Sequence, residues 1–88
     1  MNTYRVNRSD IFFLAKATEV IVHLPDFALA DSKPKAVLVS LGGVDVSMQV
    51  RGMGNQQGKL AIHLVPEDHE SFVRLFDSMS DEEMTLSA

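Results

Sequence analysis

The sequence predicts an α+β fold, a three-stranded antiparallel meander with an N-terminal and a C-terminal helix packed on one face. Three observations carry this. Residues 35–41 (KAVLVSL) and 44–50 (VDVSMQV) alternate apolar and other side chains on either side of Gly42-Gly43. Residues 59–65 (KLAIHLV) follow as a third extended stretch, and Phe72, Val73, Phe76 and Met79 then recur at helical spacing. Alternation with a period of two marks a half-buried strand, and a period near 3.6 marks an amphipathic helix.

The N-terminal helix is expected over about 9–18. Ser9 and Asp10 are good caps before the apolar run Ile11, Phe12, Phe13, Leu14, Ala15 and Ala17. A helix apolar nearly all round must be buried on two sides or meet a partner. In residues 19–24, Val20, Val22 and Leu24 alternate with Ile21 and His23. The pattern leaves helix and strand both open there, and a strand would make the sheet four-stranded. Residues 25–34 (PDFALADSKP) read as a loop with one helical turn, because proline stands at both ends with Asp26, Asp31 and Ser32 between.

The hairpin is the clearest element. A two-residue Gly-Gly turn sets Leu41 opposite Val44, Val39 opposite Val46 and Val37 opposite Met48, all six on one face. Asp45, Ser47, Gln49 and Arg51 take the solvated face. In the third strand Leu60, Ile62 and Leu64 share a face, with Ala61, His63 and Val65 on the other. Pro66 suits a first helical turn, and Glu67, Asp68 and Glu70 suit the positive end of its dipole, so the second helix is expected to about Met79. Residues 80–88 are expected to fray beyond a short turn capped by Ser80 and Glu83. Val39, Val46, Met48, Ile62 and Phe76 are the expected core.

Length and composition bound the function. At 88 residues the chain reads as one domain, 1–88. There is no cysteine, so neither a disulfide nor a thiolate metal site can form. No signal peptide and no uncharged run of ~20 residues is seen, which predicts a cytoplasmic protein. The chain is acidic, with net charge −4, and its charge is uneven: residues 1–66 hold seven basic and five acidic side chains, and 67–88 hold one basic and seven acidic. An acidic end repels DNA and attracts basic surfaces.

Residues 50–60 (VRGMGNQQGKL) invite comparison with phosphate-binding loops. A P-loop needs four residues between its first glycine and Gly-Lys, whereas Gly52 leaves five and Gly54 leaves three, and Leu60 stands where Ser or Thr belongs. The dinucleotide fingerprint fails at Gln57. The segment is therefore expected to turn a corner as a flexible loop with Met53 near its tip, and no cofactor is expected. His23, His63 and His69 show no ligand spacing and read as solvated, so no metal is expected. The eight serines sit in no nucleophile context and no catalytic dyad is readable, so no catalytic residue is expected and the chain reads as a non-enzyme.

The order helix, three strands, helix is similar to that of double-stranded-RNA-binding domains, whose last helix opens with lysines on phosphates. Here that helix opens Glu67, Asp68, His69, Glu70, the wrong sign for phosphate. What remains is apolar surface: Ala36 and Leu38 on the first strand, Ala61 and Val65 on the third, and Phe27 in the long loop. The sequence thus predicts a small non-catalytic protein-interaction module. It resembles, in size and plainness, the short inhibitor or accessory proteins of phages and mobile elements. Leu38, Arg51, Met53, Lys59 and Val65 are the candidate interaction residues, and another protein or a second copy (a homodimer) is the expected partner, with no membrane. The alternative is a nucleic-acid-binding module using Arg5, Arg8, Arg51 and Lys59.

Overall fold

A computed structural model of the chain describes residues 2–14, 18–29, 33–79 and 84–88. The strands are β1 (Thr3–Val6), β2 (Ile11–Phe13), β3 (Val20–Pro25), β4 (Ala36–Leu41), β5 (Val44–Gln56), β6 (Lys59–Pro66) and β7 (Met84–Ser87), with one helix, α1 (His69–Ser78), among the described residues. All seven strands join one antiparallel sheet in the order β1-β7-β4-β5-β6-β3-β2. The sheet curls into a half-barrel. The expected α+β meander with two helices is therefore wrong: the molecule is mostly β.

The hairpin forms in the expected register, with Leu41 opposite Val44, Val39 opposite Val46 and Val37 opposite Met48. Gly42 and Gly43 both have positive φ (54° and 87°), the conformation a two-residue turn between twisted strands requires. The segment over 50–60 is not a loop. β5 continues through Gly52 and Gly54 to Gln56, and the corner itself is only Gln57-Gly58, again with positive φ at both residues (54° and 78°). β5 changes partner along its length: residues 44–49 pair with β4, and residues 48–56 pair with β6.

The expected helix over 9–18 is replaced by a 3-10 turn, Arg8–Asp10, and β2; residues 15–17 lie outside the described residues. The apolar run had suggested a helix buried all round. Its described part is a short strand with both faces engaged, Ile11 and Phe13 turned to the core and Phe12 outward against His23. Residues 20–25 are strand β3, paired with β2 on one side and β6 on the other. After it, Asp26–Leu29 form a turn closed by Ala28 N–H donating to Pro25 O at 2.9 Å, with Ala28 and Leu29 buried; residues 30–32 lie outside the described residues.

The end of the chain differs most from expectation. Met84–Ser87 do not fray. They form β7, inserted between β1 and β4, with Met84 and Leu86 among the most buried side chains. The expected capped turn at Ser80 and Glu83 falls outside the described residues. Asn2 and Ala88 exchange backbone hydrogen bonds of 2.8 and 2.9 Å, extending the β1–β7 ladder.

α1 starts later than expected, because Pro66 closes β6 opposite Met48. Asp68 is the N-cap, its carboxylate accepting from Ser71 N–H at 3.1 Å. Phe72 and Phe76 turn into the concave face, where both rings meet Phe13. No basic residue of α1 lies in its last turn. Arg8 supplies that charge from the other end of the chain, donating to Phe76 O (3.0 Å) and Met79 O (2.6 Å) with its guanidinium 4.1 Å from the Phe76 ring centre. Of the expected core, Val39, Met48, Ile62 and Phe76 are buried, while Val46 is partly exposed and packs against the cluster.

Two outcomes follow. Leu86→Asp places a charge in the core and is expected to cost on the order of 3 kcal/mol or more, and a chain ending at Met79 to lose its cooperative thermal transition; a frayed tail would leave both melts unchanged. The Ser71 N–H bond holds the Asp68 carboxyl below its ordinary value of 3.8. The stabilisation it gives is present above that value and lost as pH falls through the lowered one. Asp68→Ala should therefore melt below the parent at pH 6, and the gap should narrow progressively as pH is lowered below 3.8.

Candidate functional site

Strand alternation turns Phe12, Ile21, His23, Ala61 and His63 to the outer, convex face, away from the core. β5 completes this part of the face across a bulge: the register shifts between Val50 and Gly52, so that Arg51 is the extra residue. A bulge bends its strand and re-aims the side chain it displaces. Beyond it Gly52 lies opposite His63 and Gly54 opposite Ala61.

Neither glycine is demanded by the fold. Of the five glycines only Gly42, Gly43 and Gly58 have positive φ, and a Cβ built on Gly52 or Gly54 meets no described atom within 4 Å. Glycine inside a strand weakens it and is otherwise used where a bulge forms or a ligand or another backbone comes close. The bulge accounts for Gly52; Gly54 lies past it in regular pairing. Together they floor a shallow depression of about 320 Å³ lined also by Glu19, Arg51, Met53 and His63.

The walls are polar and connected. The Glu19 carboxylate lies 3.1 Å from His63 Nδ1 and 3.5 Å from Arg51 Nη1. Arg51 remains largely exposed, so this ion pair is worth no more than ~1 kcal/mol. Beside the depression the Phe12 and His23 rings meet at a tilt of 50°, 4.8 Å between centres, with Phe12 44 % exposed.

The candidate residues from the sequence are placed unevenly. Arg51 and Met53 both line the depression, but Met53 pairs with Ile62 and packs against the core instead of standing at a loop tip. Lys59 pairs with Asp10 at 3.7 Å. Leu38 (opposite Ser47 and Ser87) and Val65 (opposite Gln49) lie on the same outer face, half-buried and apart from the depression. Ala36 is exposed, but Ala61 is buried and offers no surface. Phe27 is 70 % exposed in its turn.

Glu19, His63, Phe12, His23 and Gly54 were not singled out from sequence as one site. The available signal was the spacing of Gly52 and Gly54, two apart and hence on one face of any strand. The histidines are not simply solvated: His63 meets Glu19, the His23 ring packs at a tilt against Phe12, and His69 and Phe13 meet edge-to-face with ring centres 6.1 Å apart. Among the described residues no three histidine, cysteine, aspartate or glutamate side chains converge as a metal site, and no helix is long and apolar enough to cross a membrane. Comparison with protein-family models, with curated proteins and with solved structures gives no match.

Because nothing obstructs a side chain at Gly54, Gly54→Thr should stabilise the isolated protein. The expected gain is roughly 0.5–1 kcal/mol, seen as a rise in Tm of roughly 2–8 °C. A drop in Tm would show that the fold itself requires glycine there.

Proposed function

We infer that this protein is a small non-catalytic interaction module that docks a partner protein on the outer face of its sheet around Gly52 and Gly54. The glycine at 54 carries the reading, since it costs strand stability, satisfies no backbone demand and leaves flat, open backbone beside Arg51, Glu19 and His63. Exposed Phe12 beside this floor adds apolar area of the kind that anchors interfaces.

The basic side chains favour a protein over a nucleic acid. Arg8 is held at the end of α1, Arg51 faces Glu19 and Lys59 faces Asp10, so each of these cations proposed for phosphate has a partner within the chain. Inhibitor or accessory action on the bound protein is the mode that fits a chain offering a surface and no concave reaction chamber at this site.

The test is affinity capture from the native host with the parent and Gly54→Glu, read by mass spectrometry. A captured protein that survives nuclease and 0.5 M salt and is lost with Gly54→Glu supports the reading. A capture set unchanged by Gly54→Glu overturns the site, and one abolished by nuclease overturns the protein partner. Light scattering across a concentration series distinguishes a second copy as the occupant.

A further inference from the structure

The half-barrel is not covered along its whole length. β6 ends at Pro66, opposite Met48, and the chain turns there into α1. Val44–Ser47 of β5 are thus paired with β4 on one side and with no described strand on the other. Between this open edge and the first turns of α1 runs a groove of about 770 Å³. Its apolar part is Val44, Val46, Phe72 and Leu75. Val44 lies on the same face as buried Leu41, yet is 48 % exposed because no described residue covers it. Its rim carries Asp45, Glu67, Asp68 and Glu70, all exposed, and none of the residues lining it is lysine or arginine. His69 also lines the groove, and its Nε2 is buried with no hydrogen-bond partner among the described residues.

We propose that this groove takes an extended peptide segment of a partner protein, with lysine or arginine alternating with apolar residues, added as a strand beside Val44–Ser47. Three features of the groove call for that chemistry together. The open edge supplies backbone donors and acceptors at strand spacing, which is how a sheet recruits an extended segment. Alternate side chains of an added strand point to opposite faces. One set therefore falls on Val44, Val46 and Leu75, completing the apolar layer that β6 abandons at Pro66. The other set shares the outer face with Asp45, and Glu67, Asp68 and Glu70 line the same groove at the start of α1. The single sign of these carboxylates selects a basic segment and rejects an acidic one. The surface is distinct from the depression at Gly54, which lies beyond the Arg51 bulge at the other end of β5.

The probe is a fluorescein-labelled peptide alternating lysine and valine over five residues, titrated into the full chain by anisotropy, with an amide chemical-shift map at saturation. The expected result is saturable binding that moves the amides of Val44–Ser47 and of Leu75. A glutamate–valine peptide, and the lysine–valine peptide methylated on its backbone nitrogens, should each bind at least tenfold more weakly. Asp45→Lys with Glu70→Lys should weaken binding at least tenfold with circular dichroism and Tm unchanged; Glu70→Gln alone, weakening it severalfold, serves if the double variant does not fold. Gly54→Glu should leave peptide binding intact, which separates this groove from the outer-face site. The proposal is overturned by no binding, by equal binding of the acidic or methylated peptide, by shifts confined to the Gly54 region, or by self-association through this edge without peptide.

Discussion

A four-residue link dictates the shape of the whole sheet. β1 and β2 are consecutive in the chain, separated only by Asn7–Asp10, yet they occupy the two edges of a seven-stranded sheet. Six inter-strand gaps of ~4.8 Å would set the edges of a flat sheet about 29 Å apart. The path from Val6 to Ile11 reaches at most about 18 Å. The sheet must therefore curl, and its curl brings β1 close to β3, where Tyr4 Oη accepts from Leu29 N–H at 3.3 Å. The core is what the curl encloses: Val6, Val22, Leu24, Val39, Leu64 and Leu86 come from strands far apart in the sheet order and belong to one cluster. The link also carries Arg8, which ties the end of α1 to the junction of the two edges.

The same geometry creates both candidate surfaces. A long β5 that exchanges β4 for β6 halfway along leaves open edge at each end. One end is the bulged, glycine-bearing stretch whose outer face carries the Arg51–Glu19–His63 cluster. The other is the stretch at Val44–Ser47, flanked by the acidic first turn of α1. Natural sheets usually guard such edges with charge, proline or short length. Here the two ends differ in kind, with glycine and one arginine at one and carboxylates at the other.

How much was legible in the sequence follows from how local each element is. The Gly42-Gly43 hairpin was read to the residue because alternation and turn chemistry are both local and agree. α1 was legible from Phe72 and Phe76, though Pro66 was assigned to the helix when it ends a strand. β2 was misread because Ser9 and Asp10 before an apolar run imitate a helix start, and only pairing with β3 distinguishes a strand apolar on both faces. β7 was missed because Met84, Thr85, Leu86 and Ser87 make too short a pattern after an acidic run, and their burial depends on β1 and β4, both far earlier in the chain. Of the site, Arg51 and Met53 were found and Glu19 and His63 were not, since no local spacing joins residues 19, 51 and 63.

The curl is the claim on which the core, the clamp on α1 and both surfaces rest. It is tested most directly by nuclear Overhauser contacts across the seam between β1 and β3. The account predicts cross-peaks from the Tyr4 ring to the Leu29 amide and side chain, alongside the β1–β7 contacts between Arg5 and Thr85. A spectrum with the Arg5–Thr85 contact present and the seam contacts absent would describe an open sheet and contradict it.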